Sequence, residues 1–325
     1  MTRALLVSIG MLAALAVPGV AHADGARYAV IIEGASGDPQ YAALQRSWVD
    51  ALSTLLTQRL GLDASKVIVL AEVPKPGELR GNAEDVKATL GKLAKEAKPE
   101  DLVFIMLIGH GSGVDADAKF NLVGRDMTVE EWKALLEPLT ARAVIVDSTS
   151  SSFPFLAGLA GKNRIVITAT NSYAQKYHTV FADGFIKAMT APEADADKNG
   201  RVSVLEIFTY ATRLVALHYE RAGYIATETA VFDDTGDGKG RAAAATGDDG
   251  TIAGFTFLDV VAAPKSADPE VQALLDKQQT LIEQVDELRR RKGVLPADLF
   301  EREFERLIVD LSVVSRDIRR KTVKK

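Results

Sequence analysis

A continuous apolar run, residues 102–108, ends abruptly at Gly109-His110-Gly111 and limits the folds that this chain can adopt. An unbroken apolar run of this length is typical of a central strand buried on both faces of a sheet. A second run, residues 143–146, ends in Asp147-Ser148-Thr149. Ligands gather at the carboxyl ends of strands in open α/β sheets, so a histidine after one strand and hydroxyl groups after the next are typical of a hydrolase.

Strand-like and helix-like segments alternate along most of the chain. Apolar runs predict strands over residues 27–33, 67–70, 101–108, 142–147 and 164–169. Apolar residues at helical spacing predict helices over residues 41–60 and 82–97, and Thr128 is the predicted cap of a helix that ends at Leu136. This alternation predicts an α/β fold with a mostly parallel sheet covered on both faces.

The C-terminal part has a different pattern. Around residues 262–268 the composition shifts to Ala, Pro, Lys and Ser, and we place a domain boundary there. Beyond it, two stretches with heptad-like apolar spacing flank a break at residues 293–296, which predicts an antiparallel helical hairpin over residues 263–325. The hairpin is a candidate surface for self-association. Its basic end, from Arg316 onward, is either a solvated helix end or a docking patch.

Residues 195–206 match the pattern of a twelve-residue calcium loop of the EF-hand type. Gly200 stands at position six, where such a loop turns sharply, and Arg201 at position seven would offer only its main-chain carbonyl. We therefore predict a Ca²⁺ site, the alternative being a plain polar turn. Its ligands would come from Asp195, Asp197, Asn199, Arg201, Ser203 and Glu206.

A second acidic segment, residues 233–238, resembles the first half of another calcium loop. It has no glutamate at the twelfth position, which normally supplies two oxygens to the ion. We therefore favour a structured acidic turn over a second metal site here.

Composition excludes several kinds of protein. A net charge of −5 over 325 residues gives no basic face for nucleic acid. The absence of cysteine excludes disulfides, thiolate metal sites and a cysteine nucleophile.

Residues 1–23 read as a secretory signal peptide, with Arg3 before a short apolar core and Ala21-His22-Ala23 as the cleavage site. We expect an exported protein, periplasmic or secreted, with no stable membrane insertion after cleavage.

With these motifs in view, the chain resembles the legumain/caspase-like cysteine peptidase superfamily, in particular its exported bacterial legumain-type members. The matching pieces are residues 109–112, 147–151, 168–170, 194–206 and 227–238. The resemblance implies a three-layer α/β sandwich over residues 24–262, followed by the hairpin. Its activity would be peptide-bond cleavage by a histidine–cysteine dyad.

Carried over by position, the resemblance makes His110 the catalytic histidine and the Gly111 N–H an oxyanion donor. Asp147 and Ser148 match the two residues before the nucleophile, and Thr149 falls where the cysteine should be. A thiol can be brought to thiolate near neutral pH, whereas a hydroxyl needs a well-placed base for concerted proton removal. Thr149 is also β-branched, which restricts its side-chain rotation.

Three functions remain open at this point. The substitution favours a peptidase homologue without activity, a pseudopeptidase that binds peptide or protein partners and carries a calcium-stabilised loop. The alternative is an active hydrolase in which Thr149, or else Ser148 or Ser150, is the nucleophile and His110 the base. The third is a scaffold that presents the helical hairpin as an interaction module. The chain lacks the lysine and spacing of a P-loop, so the signal for a phosphate-binding loop at residues 109–113 is weak, and it has no G-x-S-x-G elbow, which an esterase needs. Without the resemblance, His110 would be interpreted as a structural histidine that follows a strand.

Overall fold

The computed structural model describes residues 25–198, 200–243, 249–260, 266, 268–290 and 295–322. The predicted signal peptide, residues 1–23, lies outside the described residues, as does Asn199. None of the helices in the described ranges combines the length and the apolar composition needed to cross a lipid bilayer.

A seven-stranded sheet runs through the centre of the protein in the order β10-β9-β8-β4-β1-β2-β3. All its neighbouring strands are parallel except β10, which runs antiparallel to β9. A small antiparallel sheet, β5-β6-β7, follows the end of β4. The strands are β1 (Arg27–Glu33), β2 (Val67–Ala71), β3 (Leu79–Arg80), β4 (Leu102–Ile108), β5 (Gly111–Ser112), β6 (Lys119–Phe120), β7 (Met127–Thr128), β8 (Arg142–Asp147), β9 (Arg164–Thr168) and β10 (Val231–Asp233).

Helices cover both faces of the large sheet, so the predicted α/β fold class is confirmed. Alternate residues of β4 face opposite sides: Phe104 and Met106 join one core, and Val103 and Ile105 join the other. Every residue of β4 is buried, as its unbroken apolar sequence predicts. The helices are α1 (Pro39–Gln58), α2 (Ala83–Glu96), α3 (Val129–Leu136), α4 (Phe153–Leu159), α5 (Phe181–Ala188), α6 (Val204–Ala222), α7 (Pro269–Arg290) and α8 (Ala297–Thr322).

Local sequence signals set the ends of several helices. Thr128 caps α3 as predicted, and with Glu131 it forms a capping box in which side chains and main-chain N–H groups bond reciprocally. The predicted helix over 41–60 in fact begins at Pro39, after the cap of Asp38, and Gly61 follows it with a φ of +75°. The sequence patterns did not predict α4, α5, α6, β3, β10 or the small sheet. Short elements such as β3 and β10 carry too few residues to show a period.

At the C-terminal end, α7 and α8 pack side by side in antiparallel orientation. Lys321 near the end of α8 pairs with Glu270 at the start of α7, and Ser315 bonds with Gln278 further along. Apolar side chains fill the space between the helices, as the heptad-like spacing predicts. The buried ones are Leu281, Val285, Leu288, Leu307 and Val314.

Candidate functional site

His110 lies just beyond the end of β4, at the carboxyl edge of the parallel strands. Its half-buried ring meets the ring of Tyr41 edge to face, with 4.9 Å between centroids, and bonds to the main chain of Ser36. Burial lowers the pKa of His110 and outweighs the opposing effect of the Ser36 bond. The imidazole is therefore neutral at neutral pH, the form that a general base or a hydrogen-bond acceptor needs.

A second histidine, His178, lies beside the first. The centroids of the His110 and His178 rings are 5.9 Å apart, and His178 stacks on Tyr41 at 4.7 Å and faces Trp48 at 6.0 Å. Burial and then the charge of His110 lower the pKa of His178. We call the group His110, His178, Tyr41 and Trp48 the histidine ledge. Sequence reasoning missed His178 because it follows β9 in an irregular segment and belongs to no motif.

Thr149, the residue at the expected nucleophile position, is fully buried. Its Oγ1 lies 2.7 Å from Oδ1 of Asp147 and 2.9 Å from the carbonyl oxygen of Ser150. Both partners are acceptors, so the hydroxyl proton is donated to one of them. No hydrogen bond joins Thr149 to His110 within the described part of the chain.

Asp147 ends β8 and is fully buried. Its Oδ1 accepts both the N–H and the hydroxyl of Thr149, while its Oδ2 has no hydrogen-bond partner among the described residues. Burial raises the pKa of Asp147 to about 6, against the lowering effect of the two Thr149 bonds. The two hydrogen bonds to Oδ1 of Asp147 thus hold the Thr149 side chain in a buried position.

The two serines that flank Thr149 are also buried. Ser148 donates its hydroxyl to the carbonyl oxygen of Leu107 at 2.6 Å, and its own carbonyl accepts the hydroxyl of Thr179. The hydroxyl of Ser150 makes a long contact, 3.5 Å, to the carbonyl oxygen of Gly111. None of the three hydroxyls from 148 to 150 is directed to His110 by a hydrogen bond in the described structure.

Gly111 brings the histidine loop against the Thr149 turn. A Cβ atom placed on Gly111 would lie 2.2 Å from the carbonyl oxygen of Ser150 and 3.0 Å from Oγ1 of Thr149. No other residue fits there without movement of the main chain. The structure therefore brings Gly111, Asp147 and Thr149 together, and it places His110 in the neighbouring ledge.

Glu228, in the Thr227-Glu228-Thr229 segment, anchors the chain that carries His178. Its buried carboxylate accepts the N–H groups of Val180 and Phe181 and the hydroxyl of Tyr219. The carboxylate thereby satisfies donors at the start of α5 that the helix itself leaves unpaired. Burial raises the pKa of Glu228 to about 7.

The predicted calcium loop lies elsewhere, between α5 and α6. Carboxylate oxygens of Asp195, Asp197 and Glu206 lie within 4.8 Å of one another. Gly200 has a φ of +87°, and its N–H donates to Oδ2 of Asp195 at 3.0 Å. Glu206 accepts the N–H of Ala196 through one oxygen, while the other accepts the N–H and hydroxyl of Ser203.

The second half of this loop is fixed by its neighbours. Arg201 pairs with Asp259 through two guanidinium nitrogens and lies 3.9 Å over the ring of Phe257. Ser203 forms an antiparallel bridge with Phe257 and caps α6. The Arg201 side chain is thus committed to Asp259, which leaves only its main-chain carbonyl as a ligand group, as the loop pattern predicts.

The acidic segment after β10 is a structured turn, the alternative that we favoured. Asp233 accepts the N–H groups of Thr235, Gly236 and Gly238, which closes the turn on its own side chain. Asp234 reaches further and accepts the N–H groups of Gly250 and Ala253.

No protein-family model matches this chain, and no curated protein matches it either. Solved structures similar to it include protein GSU0716 from Geobacter sulfurreducens, at 13% identity and a TM-score of 0.42 over 66% of this chain and 97% of that one. The Drosophila initiator caspase Dronc has 13% identity and a TM-score of 0.42 over 67% of this chain and 82% of its own. Raptor from Chaetomium thermophilum has 15% identity and a TM-score of 0.36 over 92% of this chain and 26% of its own. At 13–15% identity, the likeness to these structures concerns the fold alone.

Proposed function

We propose that this chain is an exported legumain/caspase-like peptidase homologue that has no peptidase activity and that binds peptide or protein partners. One observation carries the loss of activity: the Thr149 hydroxyl is fully buried and donates to Asp147 or to the carbonyl of Ser150. A nucleophile must reach both a base and the substrate carbonyl. Among the described residues Thr149 makes no hydrogen bond to His110, and its side chain is not exposed to solvent.

The chemistry of the surroundings supports the same conclusion. His110 is neutral and has its own partners in Ser36 and Tyr41. Asp147 is one possible acceptor of the Thr149 hydroxyl, but its carboxyl group is fully buried and has no route by which to pass a proton to a leaving group. A hydroxyl nucleophile needs both a base and an exit for the proton, and this arrangement supplies only an acceptor.

The histidine ledge is the surface that we propose for partner binding. Tyr41, His110 and His178 are each partly exposed at the carboxyl edge of the sheet, where ligands bind in open α/β folds. Flat aromatic and imidazole rings provide apolar contact area, and their nitrogens and hydroxyl can bond to peptide groups.

The loss of activity is tested with the purified mature protein on a broad peptide substrate panel, together with phosphonate and β-lactone probes. We expect neither turnover nor labelling, for the natural chain and for His110→Ala alike. Turnover that His110→Ala abolishes, or a label mapped to residues 148–150, would show instead an active hydrolase with a hydroxyl nucleophile.

Partner binding is tested by selecting peptides from a displayed library on the purified protein and measuring their affinity for variants. Tyr41→Ala and His178→Ala should each weaken binding, by about tenfold or more for a central aromatic contact. Tyr224→Ala, which changes a tyrosine that is 73% exposed and not part of the ledge, is the matched control. Equal affinity for all variants would place the binding surface elsewhere.

We also propose that residues 195–206 bind Ca²⁺, which would join the start of the loop to α6 through oxygen ligands. The ligand set comprises the carboxylates of Asp195, Asp197 and Glu206, the oxygens of Asn199 and Ser203, and the main-chain carbonyl of Arg201. The close approach of the three carboxylates supports this proposal, since like charges within 4.8 Å of one another repel and a bound cation would offset that repulsion.

Calorimetric titration with CaCl₂ tests the loop. Asp195→Asn and Glu206→Gln should abolish the binding heat, and Ca²⁺ should raise the melting temperature of the natural chain but not of these two variants. Glu193→Gln, an exposed neighbour outside the twelve residues, should behave like the natural chain. Unchanged binding in the first two variants would disprove the site.

The hairpin supports a further proposal of self-association. Val309 and Val313, one turn apart on α8, are 55% and 39% exposed, unlike the buried residues between the helices. Val309→Asp with Val313→Asp should convert an associated species to monomer in light scattering. A natural chain that is monomeric at all concentrations would remove this proposal.

Export is tested separately, by N-terminal sequencing of the protein from culture fractions. An exported protein that has lost residues 1–23 should begin at Asp24.

A further inference from the structure

A cleft of about 550 Å³ lies beside the predicted calcium loop, away from the histidine ledge. It opens between the end of α1, the segment after α5, the loop itself and the segment that leads to Asp259. Its volume falls within the range of small-ligand sites in proteins. The wall of the cleft includes Asp195 and Gly200, so it shares residues with the loop.

Two cations on the wall, Arg59 and Lys198, have no side-chain partner among the residues that the structure describes. The side chains of Arg59 and Lys198 make neither a hydrogen bond nor an ion pair with any described residue. Arg201 also lines the cleft, but its charge is matched by Asp259 at 2.8 Å. Within the described part of the chain, the cleft therefore presents two positive charges without an ion-pair partner, and Asp195 is the acidic residue of the wall that offsets them.

The floor of the cleft is apolar. Met189, Ile207 and Leu258 line it, and each is almost completely buried. Leu60 and Pro192 continue this apolar surface. An apolar floor with a few charged groups above it suits a ligand whose body is apolar and whose end is anionic.

Calcium would change the balance of charge in this cleft. Asp195 is the one acidic group of the wall that Arg201 does not match, and it stands at the first ligand position of the loop. A bound Ca²⁺ would neutralise Asp195 and leave Arg59 and Lys198 unopposed. The potential in the cleft then becomes more positive, which strengthens the binding of an anion.

We infer that this cleft binds a carboxylate joined to an apolar group, and that Ca²⁺ in the 195–206 loop strengthens this binding. The inference rests on the calcium part of the proposed function and adds a ligand class to it. Because coupling between two sites is reciprocal, the carboxylate must strengthen Ca²⁺ binding by the same factor. The carboxylate could belong to a free acid or to the C-terminus of an apolar peptide.

The test uses the whole mature protein and calorimetric titration with two probes, octanoate and the acid form of N-acetyl-Ala-Leu-Leu, each compared with its amide. Titrations are run in EGTA and in saturating Ca²⁺. We expect the acids to bind about fivefold or more tightly with Ca²⁺, as typical coupling energies allow, and the amides to bind weakly in both conditions. The tighter of the two acids identifies the source of the carboxylate.

Substitutions locate the site. Arg59→Gln lies outside the calcium loop, so it should weaken acid binding severalfold while Ca²⁺ alone binds as before. Lys198→Gln should weaken acid binding in the same way. Lys162→Gln, an exposed lysine that does not line the cleft, should leave both acids unaffected.

Three results would overturn the inference, and each is distinct. If Ca²⁺ binds normally but neither acid binds, the cleft is not a carboxylate site and the calcium proposal stands. If the acids bind equally with and without Ca²⁺, or bind Arg59→Gln and Lys198→Gln as well as the natural chain, the coupling or the location is wrong. If Ca²⁺ itself gives no heat, the calcium proposal fails and the coupling fails with it.

Discussion

The hydroxyl of Thr149 and the carboxylate of Asp147 form a closed pair beneath the surface, with 2.7 Å between Oγ1 and Oδ1. Both residues are fully buried, and the N–H of Thr149 donates to the same oxygen at 3.0 Å. A buried carboxylate is tolerated only when donors compensate for its lost hydration. The residue at the expected nucleophile position therefore stabilises a structural acid in this chain.

Removing the Thr149 hydroxyl should destabilise the protein. Thr149→Ala takes away one of the two donors to Asp147, and we expect the free energy of unfolding to fall by about 1–3 kcal/mol at pH 8. Thr149→Ser keeps the hydroxyl and should restore most of the loss. Urea unfolding measures both variants. A Thr149→Ala protein as stable as the natural chain would show that the pair contributes nothing.

Adding a methyl group to Gly111 should disturb the same turn from the other side. The new Cβ would meet the carbonyl oxygen of Ser150 at 2.2 Å, so the main chain must move. We expect Gly111→Ala to cost about 1–3 kcal/mol of unfolding free energy. Gly91→Ala is the matched control, because that helical position has no atom within 4 Å of an added Cβ and should gain up to about 1 kcal/mol. Equal stabilities in urea would contradict the close packing.

These two contacts show what the sequence could reveal. The apolar runs predicted β4 and β8 themselves, because parallel strands buried on both faces need continuous apolar sequence, and the structure pairs the two strands side by side. The neighbourhood of Gly111 and Thr149 follows from that pairing, since both residues follow the carboxyl ends of these strands. The twelve-residue spacing likewise predicted that Asp195, Asp197 and Glu206 approach one another.

Other parts of the site could not be predicted, for reasons that are physical. Glu228, fifty residues beyond His178 in the sequence, bonds to the start of α5, the helix that follows His178. Such a long-range contact leaves no periodic or local signal in the sequence. The burial of Thr149 is similar, because a hydroxyl after a strand reads the same whether it faces solvent or a buried acid.

The buried acid should give the protein a pH-dependent stability. The pKa of Asp147 is raised to about 6 in the folded chain, so the folded state holds a proton that the unfolded state has released above pH 3.8. The stabilising contribution of this proton is complete below pH 3.8 and is lost as the pH rises to about 6. Relative to that of Asp147→Asn, the unfolding free energy of the natural chain should fall as the pH rises through this window, and it should level off above it. A constant difference from pH 3.8 to pH 7 would contradict the raised pKa.

The two ledge histidines should titrate in a linked manner. Burial lowers the pKa of both rings, and the charge of His110 lowers the pKa of His178 further. Their contribution to stability is therefore present above pH 6.5 and is lost as the pH falls through the lowered values. His110→Gln removes the neighbouring charge, so the pKa of His178 should rise. Proton NMR of the ring resonances measures this, and the exposed His218 offers an internal comparison. An unchanged His178 titration would show that the two rings do not interact.

Glu228 should control the position of His178 without touching the ledge itself. Glu228→Gln replaces an acceptor oxygen with an amide that donates, so the N–H of Val180 or Phe181 would lose its partner. We expect a loss of about 1–3 kcal/mol in unfolding free energy and faster hydrogen exchange at these two amides. Glu220→Gln, on the exposed face of α6, is the matched control. If hydrogen exchange at Val180 and Phe181 stayed slow in Glu228→Gln, then the carboxylate would not be what holds the start of α5, and the ledge would owe its geometry to the packing of Tyr41 and Trp48 alone.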